Sequence, residues 1–184
     1  MGKIFIISGP SGAGEDSVIE GLKKYFSIEK VITTTTRKMR PGEKSGSPYY
    51  FISKNEFKKG IKKNRFFEWA EEYNKNLYGV THKEIKRIKK SKNIGIWKIE
   101  YKGVITAKKI MPDVVAILIN APLEELAQRI KKRDNASQKF IKERMDYTKK
   151  WLKHKGIYDY KIVNSNGELD LSIKKAVKII KKEI

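Results

Sequence analysis

The chain has 184 residues and no cysteine, enough for one medium domain with its own core and without disulfides or a thiolate metal site. No apolar run nears the ~18 residues of a membrane span, and the chain enters its first strand without a charged-then-apolar leader. The expectation is a soluble cytoplasmic protein with no membrane partner. A net charge of +21, from 42 Lys+Arg against 21 Asp+Glu, favours polyanionic partners or else describes a solvated lysine-rich surface. The lysine pairs (Lys62-Lys63, Lys89-Lys90, Lys131-Lys132, Lys181-Lys182) are spread along the whole chain. The solvated surface is therefore the preferred reading, and nucleic acid, which charge alone would suggest, is disfavoured.

Strand and helix patterns alternate, as in an α/β fold with a mostly parallel sheet. The spacing predicts a strand over 3–8 and a helix over about 16–25. Between them, Gly9-Pro10-Ser11-Gly12-Ala13-Gly14-Glu15-Asp16-Ser17 is a phosphate-binding loop with its lysine missing. In the G-x-x-x-x-G-K-[ST] pattern the backbone N–H groups wrap the phosphates, the lysine reaches the β- and γ-phosphates, and the hydroxyl binds Mg²⁺. Gly9 and Gly14 fit, but Glu15 stands at the lysine position, Asp16 follows, and Ser17 lies one place further on. The candidate ATP-binding residues are Ser11, Gly12, Ala13, Gly14, Glu15, Asp16 and Ser17, with Ser17 the candidate Mg²⁺ ligand. A carboxylate repels a polyphosphate, so the scaffold of a nucleotide kinase is present with its main charge partner reversed.

A strand over 29–34 follows, and then the alternation breaks. Residues from about 34 to 90 carry Pro41-Gly42, Gly46, Pro48, an aromatic cluster at Tyr49, Tyr50 and Phe51, and a helical stretch near 55–62. They read as an inserted subdomain with its own small sheet. The rhythm resumes with a strand over 94–100, a helix after Gly103, a buried strand over 114–119 and a helix over 122–132 opened by Pro122. Residues 133–139 read as a polar, mobile loop, followed by an amphipathic helix to about 155, a short strand over 160–163 and a helix over 169–184. No repeat or linker divides the chain. It reads as a single domain over 1–184, with a core of 1–33 and 91–184 and a lid of about 129–144.

Arg37 and Arg40, three apart and followed by Tyr49, would make an anion clamp for a phosphate monoester; on their own they also suit a generic basic turn. Together with the glycine loop, the stretch Thr35-Thr36-Arg37-x-x-Arg40-Pro41-Gly42-Glu43-x-x-Gly46-x-x-Tyr49-x-Phe51 resembles the guanylate kinase family. So do Phe67-Glu68-Trp69-Ala70, Leu77-Tyr78-Gly79, the strand segment Ile96–Gly103, Ala121-Pro122-Leu123 with Arg129, Arg133 and Arg144, and Val163-Asn164. The resemblance runs the whole chain.

That resemblance implies a P-loop three-layer α/β/α fold with a GMP-binding β-rich subdomain and a small lid. It also implies transfer of the γ-phosphoryl of Mg²⁺–ATP to GMP. Arg37, Arg40, Tyr49 and Tyr78 would hold the GMP phosphate. Glu68 would accept from guanine, with Thr33 and Glu100 beside it. Val80 stands where the family commonly has a hydroxyl, a contact that only Thr81 could replace. Arg37, Arg129, Arg133 and Arg144 would act on the transferring group, and Asn164 would lie near adenine. Pro41, Glu43 and Gly46 read as framework, His82 as a surface residue, and Trp69 and Trp97 as core aromatics.

Two departures fall near the donor. Glu15 replaces the lysine, and Lys98 occupies a place that is acidic in the family. Either Lys98 supplies the missing cation or pairs with Glu15, or the two changes are independent losses. Activity impaired by Glu15 is the expectation. The rivals are a catalytically silent guanylate-kinase-like module that binds GMP or a protein partner, and a ribose-bisphosphate phosphokinase, suggested by Asp16-Ser17.

Overall fold

A computed structural model describes residues 2–71, 75–134 and 137–184, with Asp134 described along its backbone only. The chain runs β1 (Ile4–Ser8), α1 (Glu15–Leu22), β2 (Ile28–Lys30), β3 (Thr33–Thr35), β4 (Lys44–Ser45), β5 (Pro48–Phe51), α2 (Lys54–Lys62), β6 (Phe66–Glu71) and β7 (Leu77–Thr81). It continues through α3 (His82–Lys90), β8 (Ile94–Lys98), α4 (Tyr101–Ile110), β9 (Val115–Asn120), α5 (Leu123–Asp134), α6 (Gln138–Lys153), β10 (Tyr160–Val163) and α7 (Leu169–Glu183).

Five strands form a parallel sheet in the order β10-β9-β1-β8-β2. Its central strand β1, Ile-Phe-Ile-Ile-Ser, is buried at every position, as a strand covered by helices on both faces must be. Phe5 and Ile7 face one core with Val18, Leu22, Ile117 and Ile180. Ile4 and Ile6 face the other with Ile88, Trp97, Val104 and Leu118. Because β1 is central and parallel, its carboxyl end opens into the crevice above the sheet, where ligands bind in open α/β folds.

A second sheet, β4-β5-β3-β7-β6, mixes parallel and antiparallel pairs. It rests on a small core of Phe57, Phe66 and Leu77, in which the Phe57 and Phe66 rings stack at 4.1 Å. Helix α2 docks there behind a capping box, in which Ser53 accepts from the Glu56 N–H and Glu56 accepts from the Ser53 N–H.

Several sequence expectations need correction. The single strand expected over 29–34 is two: β2 ends in the first sheet at Lys30 and β3 starts the second at Thr33. The crossing is fixed by Glu84 of α3, a helix not anticipated from the sequence. The Glu84 carboxylate accepts from the Ile32 N–H at 2.7 Å and from Arg87 at 2.8 and 3.0 Å, while Arg87 donates onward to Glu29 and the Lys30 carbonyl. Helix α4 begins at Tyr101, before Gly103. The expected loop over 133–139 is mostly helical: Arg133 lies in α5, Ser137 caps α6 by accepting from the Phe140 N–H, and Gln138 opens α6. Residues 135–136 of that loop lie outside the described residues. Trp69 is 42% exposed, on the outside of β6, whereas Trp97 is fully buried.

Glu84→Ala should lower stability by about 1–3 kcal/mol, because it strands the part-buried Ile32 N–H, while Arg87 keeps Glu29 and the Lys30 carbonyl. Urea unfolding measures this. A loss below ~0.5 kcal/mol would show that the crossing between the sheets does not depend on Glu84.

Candidate active site

The loop between β1 and α1 takes its shape from glycine. Gly12 and Gly14 have φ of +88° and +92°, and Gly14 is the left-handed N-cap of α1, a conformation that side chains with a Cβ rarely adopt. Gly9 lies so close to β9 that a Cβ there would strike the Ile119 carbonyl, and one on Gly14 would come within 2.5 Å of Asn164 Nδ2. The Ala13 N–H closes a turn onto the Pro10 carbonyl at 3.0 Å. The result is a concave row of backbone N–H groups at a helix N-terminus, a geometry that holds phosphate.

Glu15 opens α1 with its side chain turned back over the loop. Its Cγ lies 3.2 Å from where a Cβ of Gly9 would stand. The backbone N–H groups of Gly14 and Glu15 lie near enough to the carboxyl to favour its ionised form. Desolvation pushes it up to about 7, against the opposing pull of the Lys98 ammonium and these N–H groups. Between about pH 4.5 and 7 the folded chain therefore holds a proton that the unfolded chain gives up, so this group's stabilising contribution is lost as pH rises through that window. Glu15→Gln should flatten that part of the stability–pH curve from thermal melts. A curve as steep as that of the unaltered chain would mean that Glu15 ionises normally.

Lys98 ends β8 opposite Ile7 of β1. Its ammonium does not pair directly with Glu15. It donates to both oxygens of Asp16, each at 2.8 Å, and acts on Glu15 through space. Ser17, one residue further along α1, is exposed.

Helix α5 braces the loop from the side. Arg129 donates to the Gly12 carbonyl at 3.1 Å and the Asn164 carbonyl at 2.8 Å, and also engages Glu125 and Asn166. Arg133 reaches the Ser11 hydroxyl at 3.1 Å. The Asn164 amide donates to the Ala13 carbonyl at 2.8 Å, so it shapes the loop from behind. Arg144 lies on α6 with its guanidinium 5.2 Å from the centre of the Phe140 ring.

The second sheet supplies the facing wall. Register pairs Thr33 with Tyr49 and Thr35 with Tyr78, and the Tyr49 and Tyr78 rings meet edge to face at 6.0 Å. Arg37 lies against the Tyr49 and Phe51 rings, 5.4 Å from each centre, and is gripped at both ends of Glu43 at 2.7 and 3.0 Å. Glu43 also accepts the Arg40 N–H at 2.7 Å, which shapes the turn between the two arginines. Glu43 thus does more than frame the turn. It orients Arg37, keeps the guanidinium charged, and is itself held below its usual range.

Glu68 of β6 sits behind this wall, 4% exposed, and burial alone pushes its carboxyl up to about 8. Gly103 makes room for it, since a Cβ there would come within 2.9 Å of Glu68 Oε1. Sequence reading gave Gly103 no role; the one available signal was a glycine inside a helical pattern, which calls for a packing reason. Glu100 caps α4 and accepts the Tyr147 hydroxyl. Thr33 is buried beside Tyr49. Val80 is fully buried, and the Thr81 hydroxyl caps α3 by accepting from the Glu84 N–H. His82 is exposed at the start of α3.

The structure thus has a glycine loop at the carboxyl end of β1, an arginine packed on tyrosines beside the second sheet, and a buried carboxylate in that sheet. The family model for guanylate kinase matches residues 1–183. The chain belongs to the guanylate kinase family. It is 39% identical to the guanylate kinase of Pseudoalteromonas translucida over 93% of this chain and 84% of that one. It is 36% identical to the guanylate kinase of Mycoplasma genitalium over all of this chain and 77% of that one. Its fold superposes on the crystal structure of guanylate kinase from Anaplasma phagocytophilum with a TM-score of 0.79, at 28% identity and with 99% and 86% of the two chains covered. This guanylate kinase family member is thus a nucleoside monophosphate kinase by descent, with a three-layer α/β/α fold. Among its described residues no helix is long and apolar enough to cross a membrane.

Proposed function

We propose that this chain transfers the γ-phosphoryl group of ATP to GMP, forming ADP and GDP, at a rate held down by Glu15. The observation that carries the reading is the acceptor wall: Arg37 on the Tyr49 ring, Tyr49 against Tyr78, the Arg40 turn held by Glu43, and a buried Glu68 in a strand of the same sheet. An ionised carboxylate at that depth accepts the N1–H and 2-amino donors of guanine, whereas adenine offers an acceptor at N1 and loses that pairing.

Transfer of this kind asks the protein for position and charge, with no nucleophile of its own. Arg37 and Arg40 would hold the acceptor phosphate, with the Tyr49 and Tyr78 hydroxyls beside them. The loop N–H groups from Ser11 to Gly14 would hold the donor, and Thr33 and Glu100 would border the base. Arg133 already touches the loop at Ser11 and is the lid arginine placed to meet the transferring group. Arg129 serves first by bracing the loop, and Arg144 would have to come in with closure of α6. Mg²⁺ arriving with ATP would neutralise phosphate charge, and the oxygen donors that open α1, the Ser17 hydroxyl and the Asp16 carboxylate, fit such a hard cation.

A second reading, a silent module that binds GMP or a protein, draws support from the Glu15 side chain turned over the loop that ATP would need. A coupled assay of ADP formation separates the two. GMP should be phosphorylated slowly and AMP not at all. GMP binding by calorimetry with no ADP formed, in this chain and in a Glu15→Lys variant, would favour the silent module. Equal use of AMP and GMP would remove the guanine assignment.

A further inference from the structure

Lys98 is a cation that the ordinary P-loop chemistry does not use. It belongs to β8, so its position is fixed by the central sheet rather than by the glycine loop. Its ammonium lies on the first turn of α1, 2.8 Å from each Asp16 oxygen, with 37% of the side chain exposed. The charges it feels are those of Asp16, Tyr49 and Glu15. The first and last belong to the donor loop, and Tyr49 belongs to the acceptor clamp. The other cation at the mouth of the loop is Arg133, on Ser11, while Arg129 is committed to carbonyls and to Glu125.

We propose that Lys98 is this chain's donor-phosphate cation: it leaves Asp16 for the terminal phosphates of ATP, doing from β8 what the lysine of the loop would do from α1. The proposal rests on the nucleotide kinase reading above. The exchange is chemically balanced, because one anionic acceptor, the Asp16 carboxylate, gives way to another, a phosphate oxygen, and the hydrogen bonds stay charge-assisted throughout. A strand-borne lysine suits the task, since the sheet holds its backbone while its long stem lets the ammonium swing between acceptors.

The test is calorimetric titration of ATP in EDTA without Mg²⁺, so that Asp16 has no metal to hold, in the absence of GMP, and separately of GMP. Lys98→Met should weaken ATP at least ~tenfold, the scale of a lost hydrogen bond to a charged group, and Lys98→Arg should restore most of the affinity. Asp16→Asn keeps the lysine and deletes its resting partner, so ATP should bind more tightly. The double variant Asp16→Asn with Lys98→Met should remain weak. Restored affinity in that double variant would show that Lys98 only neutralises Asp16, and would overturn the proposal. So would ATP binding indifferent to Lys98→Met, or weakened by Asp16→Asn, which remains informative even if Lys98→Met fails to fold. Failure of GMP to bind the unaltered chain would overturn the guanylate reading and this assignment together. Intact GMP binding with ATP indifferent to Lys98 would overturn this assignment alone.

Discussion

Glu15→Lys is expected to speed ADP formation from ATP and GMP by about 10²–10³, the usual effect of one electrostatic donor at a reacting phosphate. Two changes act together. The carboxyl turned over the glycine loop is removed, and with it an anion that repels the phosphates. A cation enters at the first position of α1, where the helix N-terminus already favours the anion. Asp16 and Lys98 remain paired beside it, so the added lysine meets a neutral pair rather than a lone positive charge. The gain should appear in the affinity for ATP as well as in turnover, because loop and helix attract phosphate even in the unaltered chain. A variant no faster than the parent in the coupled assay would end the electrostatic account of the loop and favour the silent module.

Glu68→Gln is expected to weaken GMP by roughly ten- to a hundredfold, since a charge-assisted pairing is lost and a carboxamide nitrogen opposes donor against donor. The same group sets a pH dependence. In the unliganded protein burial raises Glu68 to about 8, while guanine needs the ionised form. GMP binding below that pH must therefore expel a proton, and affinity should climb as pH rises toward about 8 and then level off. Folding runs the other way. The protonated group suits the apo interior, so its stabilising contribution falls as pH rises from about 4.5 to about 8. The glutamine variant should lose that slope and be the more stable protein at alkaline pH. Calorimetry in buffers of different ionisation enthalpy counts the proton released per GMP. A count of zero at pH 6.5, or GMP affinity flat with pH, would show that Glu68 does not read the base.

Much of this architecture was legible in the chain itself. The apolar run Ile4–Ser8 ahead of the glycine loop, the buried run Val115–Asn120 and the strand Tyr160–Val163 are local signals, and all three became neighbouring strands of the first sheet. The loop glycines were equally plain, because positive φ at Gly12 and Gly14 is a local backbone demand. The spacing of Arg37, Arg40, Tyr49, Glu68 and Tyr78 was enough to identify the family without coordinates. By contrast, the helix over His82–Lys90 escaped notice because its inward face is short, with Ile85 and Ile88 beside the buried Glu84. The break between β2 and β3 escaped because the residues are β-branched throughout, and only the bond from the Ile32 N–H to Glu84, 52 positions away, decides where one sheet ends and the next begins.

The sequence by itself determined that a carboxylate stands in a phosphate loop and a lysine on the strand beside it, since residue identity and order carry that information completely. Only the tertiary structure decided how those charges pair. Lys98 and Asp16 are 82 positions apart, and the parallel register of β1 with β8 brings them to 2.8 Å. Glu15 is left to turn back over the glycine loop. Likewise, the Glu68 carboxylate can be buried in β6 only because α4 presents Gly103 and leaves room for it. Desolvation and ion pairing depend on distance in space, and for these residues distance along the chain carries almost none of it.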